Sequence, residues 1–142
     1  MLHQLVYVSK ALTGERMEEE LEDILRRSEN NNARDEISGV LLLRGNLFLQ
    51  LLEGPAEAVH QTYKRISADP RHQSLAKLVD QPAKTRLYQD WSMAFRSLTD
   101  EESHLVNEII GWGNLITNPY VIEPSQIFDL LHRFRTTTAT AK

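Results

Sequence analysis

The stretch "ISGVLLLRGNLFLQLLEGP", residues 37–55, holds two apolar runs separated by "RGN". A short glycine-bearing turn between such runs predicts a β-hairpin, with strands over 37–43 and 47–53. Nearly every position in both runs is apolar, whereas a strand with one wet face alternates. The hairpin therefore belongs in the middle of a sheet covered on both sides. Gln50 interrupts the pattern. It shares a strand face with Phe48 and Leu52, where burying an unpaired amide costs about 1–3 kcal/mol. Such a glutamine reaches solvent or a neighbouring backbone, or it serves a ligand.

Upstream, "HQLVYVS" (3–9) is a strand rich in β-branched and aromatic residues. The segment 14–32 follows as an amphipathic helix, with Met17, Leu21, Ile24, Leu25 and Ser28 at helical spacing and an acidic start. Downstream, residues 54–70 read as a second helix opened by Gly54, with Pro55 at the first helical position and a stop before Pro70. Strands are expected over 75–82 and 90–98. The order β-α-β-β-α-β with one further strand predicts an α+β, ferredoxin-like mixed sheet with two helices side by side on one face.

Thr99 and Glu102 make a capping-box pattern that opens a helix over 99–112, and an amphipathic helix is expected over 123–134. Their apolar stripes (Leu105, Ile109, Trp112; Ile127, Leu130, Leu131, Phe134) suit packing on the opposite sheet face. The domain expectation is a core over 1–98, a helical extension over 99–135 and a disordered tail over 136–142.

The net charge of −4, from 16 basic and 20 acidic residues without blocks, argues against nucleic-acid binding. The absence of cysteine excludes disulfides, thiolate nucleophiles and thiol–flavin adducts. The five histidines (3, 60, 72, 104 and 132) show no metal-ligand spacing, so no metal is expected. With no signal peptide and no apolar run long enough to span a bilayer, the expected location is cytoplasmic, away from the membrane.

In this topology the helix faces make a slot. Ile24, Ser28 and Asn31 or Asn32 share one side of the first helix, while Val59, Tyr63 and Ile66 form a stripe on the second. Ile24 and Ile66 would meet the two faces of a flat ligand. Asn31, Asn32, Arg65, Asp69 and His72 would serve its rim, with Tyr7 and Gln50 at the sheet end. An isoalloxazine or a pterin fits such a slot; a sugar or a peptide does not.

The stretches "LVYVS", "NNARDEISGVLLL", "FLQLLEGP", "ISADPRH" and "DWSMAF" resemble the BLUF domain, a flavin-based blue-light sensor, in order and at family-like spacing over roughly residues 2–98. The resemblance implies a ferredoxin-like sheet holding a flavin, usually FAD, with FMN or riboflavin as alternatives. It makes Tyr7 and Gln50 the photochemical switch, and Ile24, Ser28, Asn31, Asn32, Arg65, Ile66, Asp69 and His72 the flavin contacts. Trp91 and Met93 become the signal relay. The implied mechanism passes an electron from Tyr7 to the excited flavin and a proton by way of Gln50. The amide is left rotated or tautomerised, and its donor and acceptor then serve different partners. The expected activity is sensing rather than turnover, with a separate signalling protein as partner and self-association of the chain. Two alternatives remain at this level. One is a light-independent module for another planar metabolite. The other is an acylphosphatase-like hydrolase, for which no glycine-rich phosphate loop is found.

Overall fold

The computed structural model describes residues 2–11, 36–44, 47–68, 72–88, 94–97 and 124–137. These form strands β1 (Leu2–Ala11), β2 (Ser38–Arg44), β3 (Leu47–Pro55), β4 (His72–Ala83) and β5 (Ala94–Ser97), with helices α1 (Ala56–Ala68) and α2 (Pro124–Thr137). The sheet order is β4-β1-β3-β2-β5. β1 runs antiparallel to β3 and β4, β2 antiparallel to β3, and β5 parallel to β2. This is the ferredoxin-like arrangement with one added edge strand.

The order explains the two helical connections. β3 and β4 run the same way with β1 between them, so the chain must cross over the sheet to join them, and α1 is that crossover. β1 and β2 are likewise parallel about β3, and residues 12–35 connect them. The helix expected over 14–32 falls in that connection, outside the described residues, as does the helix expected over 99–112.

Strand alternation sorts the core into two layers. Leu5, Tyr7, Leu41, Leu43, Phe48 and Leu52 face α1, where Val59 is fully buried and Tyr63 and Ile66 are half-buried against them. Val6, Val8, Val40, Leu42, Leu49 and Leu51 face α2, which buries Ile127, Leu130 and Leu131. The stripe expected on the last helix is therefore packing for three of its four residues. Phe134 lies where only the backbone is described.

Some boundaries move. Pro55 does not open the helix: it ends β3 opposite Leu2, and α1 starts at Ala56. The ladder from β2 stops at Glu53, so no strand on that side asks Pro55 for the N–H it lacks. β4 begins at His72 because its pairing with β1 continues to Ala11. β5 is described over Ala94–Ser97, and the rest of the strand expected over 90–98 lies outside the described residues. α2 runs to Thr137, so the first two residues of the segment expected as tail are helical.

Gly39 shows why β2 needs a glycine in its interior. A Cβ there would lie 1.9 Å from the Leu51 carbonyl oxygen, so any side chain would push β2 off β3. Among the described residues, no helix is long and apolar enough to cross a membrane.

Candidate functional site

β1 and β3 are central strands, and their register sets Tyr7 directly opposite Gln50. Both side chains point toward α1 and are almost fully buried, at 1% and 4% exposure. The Tyr7 hydroxyl donates a hydrogen bond to Gln50 Oε1. The amide that looked out of place in an apolar strand thus has a partner, which removes the penalty for burying its carbonyl. The row continues on both sides, from Lys77 on β4 through Tyr7 and Gln50 to Leu41 on β2 and Phe95 on β5.

α1 supplies one wall. The Tyr63 ring lies 5.5 Å from the Tyr7 ring at 60°, and Lys77 Nζ sits 5.8 Å from the Tyr63 centroid. Burial pushes the Tyr63 phenol up, against the opposing pull of Lys77, so it stays protonated at neutral pH. Ile66 is half-buried one turn on, and Arg65 is exposed with its guanidinium donating to Thr62 Oγ1 at 3.1 Å.

The structure thus brings together Tyr7, Gln50 and Ile66, with Arg65 at the outer edge of the same helix. His72 is placed at the first residue of β4, opposite Ala11. Ile24, Ser28, Asn31, Asn32, Asp69, Trp91 and Met93 lie outside the described residues. The strand that follows Trp91 and Met93 is β5, and its Phe95 lies two strands from Gln50 in the same row.

The donor set here fits a flavin. A carboxamide with donor and acceptor at one tip matches an amide-like ring edge, and Ile66 with the aromatic and leucine side chains around it suits an apolar ring face. An oxidisable phenol is hydrogen-bonded to that same amide.

Sequence reasoning missed two things. It listed Tyr63 as a stripe residue without seeing that it meets Tyr7, because contacts between a helix and a strand distant in sequence carry no local signal. It also passed over Glu53, whose carboxylate is buried (1% exposed) on the α2 side. Glu53 accepts hydrogen bonds from Gln4 Nε2 and from the Leu87 and Tyr88 backbone N–H groups, each at 2.7 Å. Arg86 donates to Ser38 Oγ at 3.1 Å and to the Glu53 carbonyl at 3.3 Å. A carboxylate closing an apolar strand could have raised the question that Gln50 raised. Beside this network, Gln4, Arg86, Leu87, Phe128 and His132 help line a groove of about 340 Å³, on the face away from Tyr7.

Comparison with known proteins bears on the same residues. The family model for BLUF, sensors of blue-light using FAD, matches residues 2–94. The photoactivated adenylate cyclase subunit beta of Euglena gracilis is 38% identical over 101 residues, which are 70% of this chain and 11% of that protein. The blue light- and temperature-regulated antirepressor BluF of Escherichia coli K12 is 34% identical over 88 residues, 62% of this chain and 22% of that protein. The chain thus spans less than a quarter of the length of either relative. Among solved structures, the photo-activated state of BlsA superposes with a TM-score of 0.83 at 25% identity, covering 100% of this chain and 99% of that one.

Proposed function

Since the chain belongs to the BLUF family of blue-light sensors, we propose that it is a photoreceptor that binds a flavin non-covalently beside Tyr7 and Gln50 and signals to a separate protein. The observation that carries this reading is the buried hydrogen bond from the Tyr7 phenol to Gln50 Oε1 on the α1 face. The sensor core is residues 1–98. Within it, Ile24 and Ile66 cover the two faces of the ring, and Ser28, Asn31, Asn32, Arg65, Asp69 and His72 hold its rim. FAD is the expected cofactor from the family description, and FMN or riboflavin would meet the same ring contacts.

When bound, the flavin supplies a blue-absorbing chromophore that accepts an electron once excited. The chain's own part is played by two side chains. Tyr7 would be the electron source, its phenolic proton would leave along the hydrogen bond to Gln50, and both would return to Tyr7 once the amide has rearranged. Gln50 holds a donor and an acceptor on one carbon, so rotation or tautomerisation exchanges what it presents to the phenol and to the ligand. Two hydrogen-bonded states of one buried amide that differ by about a few kcal/mol would let light populate the upper state and let it relax in the dark.

The changed amide is felt along its row. Trp91 and Met93 precede β5 and relay the change to the sheet edge. From there a partner protein or a second copy of the chain reads it. The output is therefore a binding event rather than turnover. Purified protein loaded with FAD is expected to be yellow and to show a reversible red shift of the flavin band after blue light. Protein that stays colourless in excess flavin, or whose spectrum ignores illumination, contradicts the reading.

A further inference from the structure

Although the histidines have no ligand spacing along the chain, folding brings two of them to one carboxylate. His3 lies near the start of β1, His60 in the second turn of α1 and Asp80 on β4. Both imidazole Nε2 atoms converge on Asp80 Oδ1, His60's at 2.8 Å and His3's also in hydrogen-bond contact. The two rings are 4.7 Å apart. All three potential ligand atoms lie within 4.8 Å of one another.

A bulge makes the convergence possible. Val6 pairs with Val79 but Tyr7 with Lys77, so Leu78 is an extra residue on β4. Leu78 and Val79 both pack toward α2, which turns Lys77 and Asp80 together toward α1. Lys77 Nζ then holds the second oxygen, Asp80 Oδ2, at 2.9 Å and leaves Oδ1 to the imidazoles.

We propose that His3, His60 and Asp80 form a divalent transition-metal site of the zinc class that clips α1 to β1 and β4. Two imidazoles and one carboxylate suit Zn²⁺, whereas Ca²⁺ or Mg²⁺ would ask for more oxygens. Tetrahedral Zn–N and Zn–O bonds of about 2.0–2.1 Å place neighbouring ligand atoms about 3.3 Å apart, so seating the ion moves Oδ1 back from both imidazole nitrogens. The side chain is 26% exposed and can make that adjustment. His60, at 48% exposure, leaves a coordination position open to water. Lys77 would orient the carboxylate from behind, as outer hydrogen bonds do at metal sites. The proposal is independent of flavin binding, because it uses none of the residues assigned to the flavin.

The test uses the full flavin-loaded chain without an affinity tag, stripped with EDTA and titrated calorimetrically with zinc chloride. One equivalent should bind, and a hundredfold excess over Kd should raise the Tm on the order of 5–10 °C. His60→Ala and Asp80→Asn should each weaken binding at least tenfold while keeping the circular dichroism of the parent. His132→Ala, on the other sheet face, should leave it unchanged. Absence of stoichiometric binding, or equal affinity in the parent and in His60→Ala, overturns the proposal. It would mean that the three side chains are a hydrogen-bonded cluster alone.

Discussion

The two faces of this sheet are built from the same strands and do different work. Toward α2, the inward positions of β1, β2 and β3 are Val6, Val8, Val40, Leu42, Leu49 and Leu51, met by Ile127, Leu130 and Leu131. Toward α1, the alternate positions carry Leu5, Leu41, Leu43, Phe48 and Leu52, but at the centre stand a phenol and a carboxamide bonded to each other. A dry layer asks only for volume and shape. A buried polar pair asks for partners and is stable in a small number of arrangements, which makes it suited to switching. The difference between the faces separates plain packing from the pair on which the proposed light response rests.

Substitutions on the two faces should therefore separate in the same way. The largest effect is expected on the α1 side, where Tyr7→Phe and Gln50→Leu each keep bound flavin and lose the light-induced red shift entirely, as read by absorbance before and after illumination. On the α2 side, Leu49→Ala should cost about 2–5 kcal/mol in denaturant unfolding, with the shift retained in the folded fraction. A Leu49→Ala protein that folds but no longer responds to light would break the division between the faces.

Glu53 sharpens the comparison, since it is a buried carboxylate on the α2 side. Its partners are structural: they tether residues 86–88 to the end of β3. Glu53→Ala should cost about 1–3 kcal/mol by orphaning buried N–H groups, again without loss of the light response. The smallest stability change is expected at Arg65, which is exposed. Arg65→Ala should move stability by no more than about 0.5 kcal/mol, while equilibrium dialysis should show weaker retention of flavin.

Much of this was legible in the residues. The hairpin, the central position of its strands and the crossover helix after it follow from unbroken apolar runs and from periodicity, which are local signals. Gln50 was legible because it violated its own strand's pattern. Its pairing with Tyr7 joins strands more than forty residues apart, so it follows from the family resemblance and from no single window of sequence. The bulge at Leu78 and the convergence of His3, His60 and Asp80 were hidden because they too join distant stretches of chain. Pro55 was misplaced by one element because a proline suits both the end of a strand and the start of a helix, and only the ladder decides between them.

The central question is whether the amide of Gln50 changes the bond it offers its ligand when light arrives. Light-minus-dark infrared difference spectroscopy on the flavin-loaded protein reads this directly at the flavin carbonyl stretch. A reversible downshift, reporting a stronger hydrogen bond, is expected in the parent and should vanish in Gln50→Leu. A downshift of the same size in Gln50→Leu would contradict it.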